Sequence, residues 1–72
     1  MGKKFVQIEE DEQYITLQSL LKMNDVVPTG GAVKYFLNEN VVLVNNEPEN
    51  RRGRKLYRGD EIQVGNTVFV IN

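Results

Sequence analysis

The sequence predicts an α+β fold, with two helices packed on one face of a small antiparallel or mixed β-sheet. Three observations point to it. Leu17, Leu20 and Leu21 fall at i, i+3 and i+4, and Ala32, Val33, Phe36 and Leu37 repeat at the same spacing, so each segment presents one apolar stripe. From Val41 onward the helical period gives way to short β-prone runs. Those runs are separated by Asn45-Asn46, Gly59-Asp60 and Gly65-Asn66, pairs suited to tight turns.

Each element can be justified in chain order. Phe5, Val6 and Ile8 make a β-prone run, predicted as an edge strand that the acidic residues 9–12 terminate. Thr16 can cap the first helix, its hydroxyl accepting an orphan backbone N–H. Asn24-Asp25 ends that helix, and Pro28 disfavours helical geometry at Val27. The second helix starts around Thr29-Gly30-Gly31, with Thr29 or Gly30 as the cap. It stops at Asn38-Glu39-Asn40, where Asn tolerates a left-handed terminus. Val41 to Val44 is a strand and Asn45-Asn46 a turn; residues 47–58 form an exposed strand or an ordered loop. Residues 61–64 and 67–71, joined by Gly65-Asn66, make a C-terminal hairpin. Tyr14, Phe5, Phe36 and Phe69 are expected in the core or at its rim, and Tyr35 in a partly exposed position.

Composition narrows the function classes. The 72 residues make one small domain, taken as residues 1–72, with a thin stability margin because a chain of this size buries only about 60% of its unfolded surface. Cys and His are both absent. That removes disulfides, Cys-ligated zinc, the commonest metal ligand and the usual general base near neutral pH. No recognisable nucleophile–base pair remains, so the expectation is a non-enzyme with no cofactor and no metal. Residues 9–12 are read as a solvated connector, since adjacent carboxylates diverge instead of converging on an ion. No apolar run approaches the roughly 20 residues needed to cross a bilayer. Residues 1–8 lack the apolar stretch of a secretory signal. The expected location is the cytoplasm.

The charge is distributed unevenly. The net charge is −1, yet Arg51, Arg52, Arg54, Lys55 and Arg58 supply five of the nine Lys and Arg residues. Separated signs give a directed field, so the net charge says little about partners. Gly53, Leu56 and Tyr57 lie within this stretch and Gly59-Asp60 follows it, as expected of an ordered segment. A dense, ordered run of arginines is a candidate phosphate-binding surface, because a planar guanidinium bonds phosphate oxygens in pairs or stacks on bases.

These features, in this order, resemble the S4 RNA-binding domain family. The resemblance spans about residues 15–64. It is carried by Leu17, Leu20 and Leu21, by Thr29-Gly30-Gly31-Ala32-Val33-Lys34, by residues 41–44 with Asn45-Asn46, by residues 51–55, and by Gly59-Asp60. The Gly-Gly at the second helix and the chain length are most similar to small stand-alone bacterial S4-like proteins of the YaaA and YbcJ type. The resemblance implies an S4-like (alpha-L) fold and RNA binding. Two departures stand out. Thr29-Gly30 and Lys34 replace the Ser-Arg and further Arg that many such domains carry on the second helix. Thr16 and Gln18 stand where an Arg and an Asp are usual on the first. Both changes shift the cationic work onto residues 51–58.

The expected RNA-binding residues are Thr29, Gly30, Gly31, Lys34, Arg51, Arg52, Arg54, Lys55 and Arg58. Gly30 and Gly31 let a phosphate approach backbone N–H groups at the start of a helix, with Lys34 one turn in. Asn45, Asn46 and Tyr57 are candidates for contact with a base, although the Asn pair is most simply a turn and Tyr57 is expected to pack on the core. The function expected is non-enzymatic binding of structured or ribosomal RNA in a ribosome-associated role. The alternative is a protein-interaction module whose basic strip docks an acidic partner, such as a ribosomal protein, in a ribosome- or replication-associated assembly. Oligomeric state is left open.

Overall fold

The computed structural model describes residues 2–72. The chain runs β1 (Gly2–Val6), β2 (Tyr14–Thr16), α1 (Leu17–Met23), α2 (Ala32–Glu39), β3 (Val42–Val44), β4 (Glu47–Pro48), β5 (Lys55–Tyr57), β6 (Glu61–Val64) and β7 (Thr67–Ile71). Five strands form a mixed sheet in the order β1-β7-β6-β3-β4, with β1 parallel to β7 and the other pairs antiparallel. β2 and β5 form a separate antiparallel ribbon. This is the expected α+β architecture, and its sheet is of the mixed kind. No helix among the described residues is long and apolar enough to cross a membrane.

The helices form where the leucine and valine stripes place them. Leu17, Leu20 and Leu21 of α1 and Val33 and Leu37 of α2 are buried, and they share one apolar cluster with Val6, Val42, Val44, Ile62, Phe69 and Ile71 from the main sheet. Burying a side chain of this size is worth about 1.5–3 kcal/mol. Thr16 caps α1 as expected, accepting the Ser19 N–H at 3.2 Å. Beyond the Asn24 cap, Asp25 takes φ +58°, while Asp25 N–H reaches the Lys22 carbonyl and Val26 N–H the Leu21 carbonyl. This is a Schellman ending.

α2 departs from expectation at both ends. Its boundary residue is Gly31, already in helical conformation, although Thr29 supplies the capping oxygen by accepting the Ala32 N–H at 3.3 Å. At the other end Asn40 is extended instead of left-handed. Its backbone N–H and side-chain amide both bond the Phe36 carbonyl, so the amide group does the work expected of a left-handed backbone.

The turns follow their residues. Asn45 and Asn46 have φ of +51° and +70°, the pair of positive angles that a two-residue type I′ hairpin requires. Gly65 carries φ +59° between β6 and β7. The aromatic assignments hold in part. Phe69 is buried, Phe36 is half-buried and Tyr35 is exposed. Phe5 is 64% exposed and does not join the core. Successive strand residues face opposite ways, so burying Val6 against the helices turns Phe5 onto the outer sheet face beside Val70.

Candidate nucleic-acid interface

Residues 49–58 are held by three sets of contacts, and each draws on a different part of the basic cluster. The first centres on Glu49. Its side chain is only 7% exposed. Oε2 accepts from the Arg51 backbone N–H and Nε, both at 3.0 Å, and Oε1 accepts from Arg51 Nη2 at 3.1 Å and Arg54 Nη1 at 2.7 Å. Every lone-pair direction of the carboxylate is thereby occupied, which makes the burial of a charge tolerable. The Arg51 bonds lower the Glu49 pKa to about 2 despite burial, with Arg54 adding to the effect. Arg51 stays outside, 73% exposed, with its pKa raised by the same bonds.

The second set fastens the loop to α1. The Arg54 carbonyl accepts the Leu17 N–H and the Arg52 carbonyl accepts the Gln18 N–H, each at 2.9 Å. With Ser19 N–H bonded to Thr16, the opening donors of α1 are used within the protein, and no anion can be seated there. Gln18 also lies against α2: a Cβ built on Gly30 would stand 3.0 Å from Gln18 Nε2. Gln18 therefore touches both the Arg52 backbone and the turn at Gly30 that precedes α2. Among the described residues, the N–H groups of Gly30 and Gly31 have no backbone partner. Lys34 lies four residues beyond Gly30, one helical turn on, and is exposed.

The third set ties down Arg58, which stays exposed. Its guanidinium donates to the carbonyls of Ile8, Glu9 and Glu12 at 3.0–3.2 Å, bracing the acidic connector. Asn45 is similarly committed, donating to Asp60 Oδ1 and accepting the Glu61 N–H, while Asp60 Oδ2 accepts the Tyr57 N–H. These contacts lock the two turns together. Asn46 remains exposed at the hairpin tip.

Tyr57 corrects another expectation. It is 47% exposed instead of packed in the core, because Leu56 turns inward against Ile15 and strand alternation turns its neighbours outward. Tyr14, Thr16, Lys55 and Tyr57 together form the outer face of the β2–β5 ribbon, and Lys55 Nζ lies 5.0 Å from the centre of the Tyr14 ring.

Arg52, Lys34 and Lys55 take no part in an ion pair among the described residues, whereas Arg51 and Arg54 share one buried carboxylate. No group of carboxylates there could hold a metal ion. The residues missed by sequence reasoning are Glu49, Gln18 and Tyr14. For Glu49 the sequence offers only proximity: it stands two positions before Arg51, with Glu47 two positions further back.

A family model for the S4 domain matches residues 6–72. The chain belongs to the S4 domain family. A relative from Bacillus subtilis (strain 168), named probable ribosome maturation protein RlbA, is 54% identical over 57 residues, covering 79% of this chain and 80% of the relative. The match extends beyond residues 15–64 at both ends, taking in Val6 at the end of β1, the acidic connector and β7.

Proposed function

We propose that this S4-family chain is a non-enzymatic RNA-binding protein acting on ribosomal or similarly structured RNA in the cytoplasm, with residues 1–72 working as one binding unit. The observation that supports the reading is the junction at Gln18, which bonds the Arg52 carbonyl and lies beside Gly30, so that the basic loop and the turn before α2 can serve one ligand. Arg52, Lys55 and Lys34 are exposed cations outside any ion pair among the described residues. Arg51 and Arg54 are held in place by Glu49 and present their remaining N–H donors in a fixed orientation. Thr29, Gly30 and Gly31 contribute backbone donors to a phosphate beside Lys34. The relative named for ribosome maturation supports a ribosomal RNA target.

The partner charge follows from the geometry. Arg52, Lys55 and Lys34 give three positive charges, and Arg51 and Arg54 less Glu49 give one more. About four phosphates are neutralised, so log affinity falls with log salt at a slope of roughly −3 to −3.5. The direct test combines Arg52→Glu with Lys34→Glu. Both side chains are exposed and neither is in an ion pair, so the fold is expected to persist. Binding to ribosomal RNA should be abolished at moderate salt, and parental affinity in this variant would contradict the reading. Capture of a partner that survives nuclease treatment would point instead to an acidic protein. Turnover of RNA by the purified chain would overturn the non-enzymatic assignment.

A further inference from the structure

The ribbon β2–β5 has an anchored inner face, Ile15 opposite Leu56, and an outer face bearing two tyrosines opposite one another. The Tyr14 and Tyr57 rings stand 5.9 Å apart at 53°, a tilted aromatic pair in which each ring limits the motion of the other. Tyr57 is fixed further through its backbone N–H, which donates to Asp60 Oδ2 at 2.8 Å. One side of Tyr14 is occupied by Lys55 Nζ. Tyr57 is the ring with room beside cations: it lines an open hollow of about 500 Å³ together with Arg51, Gly53, Arg54 and Lys55.

We propose that Tyr57, braced by Tyr14, is a stacking platform for an unpaired nucleobase, so that the RNA recognised carries a single-stranded nucleotide beside its phosphate contacts. This rests on the RNA-binding reading above. Every base has a flat face to offer a tyrosine, and a platform needs a rigid ring next to cations that hold the adjoining phosphates. Both are present here: the ring is braced by Tyr14 on a backbone pinned by Asp60, and the hollow it lines is otherwise made of Arg51, Gly53, Arg54 and Lys55. The polarity is also set. Asp11 and Glu12 share a hollow with Tyr14, so the ribbon is acidic on that side, and the strand's phosphates are directed toward the arginines. A duplex offers no free base face, which makes single-stranded or bulged segments the preferred ligand.

The test uses two probes, a short oligoriboadenylate and a blunt RNA duplex of the same length, titrated into the full chain by NMR. Stacking moves the Tyr57 ring protons upfield with the oligoriboadenylate and not with the duplex. Tyr57→Leu, which keeps apolar bulk but removes the ring, weakens oligoriboadenylate binding about tenfold, and Tyr57→Phe restores it. The amide spectrum of each variant checks that the ribbon is intact. Oligoriboadenylate binding with unmoved Tyr57 resonances, or Tyr57→Leu binding it as the parent does, overturns the platform and leaves the RNA reading standing. Failure of both probes to bind at low salt overturns both.

Discussion

Arg54 Nη1 donates to Glu49 Oε1 at 2.7 Å, so a side chain from the basic loop is held by a carboxylate that is itself almost fully buried. Arg51 grips the same carboxylate with its side chain and its backbone N–H. The cluster is therefore a loop folded around one acid, with its remaining donors pointing outward in fixed directions. Donors that are already oriented lose less freedom when they meet a phosphate.

Glu49→Gln should destabilise the protein by about 1–2 kcal/mol, since charge-assisted bonds are lost and the two arginines keep access to water. Urea denaturation would show this as a lower midpoint at unchanged slope. RNA affinity should fall as well, although a negative charge has been removed. A gain in affinity would show that the extra positive charge outweighs the lost orientation.

The same carboxylate sets a pH dependence. Its pKa is depressed in the folded state, from an ordinary 4.5 to about 2. The stability it contributes is then complete above about pH 4.5 and is lost as the pH falls through about 2. Urea midpoints measured between those limits should drop more steeply for the parent than for Glu49→Gln. Parallel curves would show that Glu49 is not the group responsible.

Asn45→Ala tests the turn assignment. The variant forces a residue with a Cβ and no amide to adopt φ +51°, and it leaves the Glu61 N–H without its partner. A cost of about 2 kcal/mol is expected, from the left-handed backbone and one or two lost hydrogen bonds. RNA affinity measured well below the melting temperature should stay close to parental. A large loss of affinity in a fully folded variant would restore Asn45 as a base contact.

Arg58→Gln should act on the connector. With the guanidinium gone, the carbonyls of Ile8, Glu9 and Glu12 lose their shared donor. Amide hydrogen exchange should accelerate over residues 8–13, and the salt dependence of RNA binding should change little. A salt slope reduced by nearly one would place Arg58 on a phosphate.

The parts of the molecule that were legible in the sequence are those set by near neighbours. Leucines three and four apart make a helical stripe wherever the rest of the chain goes, and Asn45-Asn46 specifies a hairpin because few other pairs tolerate two positive φ angles. The pairing of Tyr14 with Tyr57 joins the beginning of the chain to its later part, and neither three-residue strand declares its partner. Without that ribbon both Tyr57 and Tyr14 are expected at the core or its rim, whereas the pairing turns both outward. Glu49 was hidden for another reason: burial of a carboxylate is favourable only once two arginines converge on it, and that convergence is tertiary. The candidate site was legible as a density of charge. Which charges are spent inside the protein was not, and Arg58 shows the difference.

The most direct test of the account is the salt dependence of ribosomal RNA binding, compared between the parent and Arg52→Gln. The parent should show a slope of roughly −3 to −3.5, and the variant should lose about 0.7–0.9 of it, one phosphate's share. A parental slope near zero, or an unchanged slope in Arg52→Gln, would contradict the claim that this face neutralises RNA phosphates through Arg52.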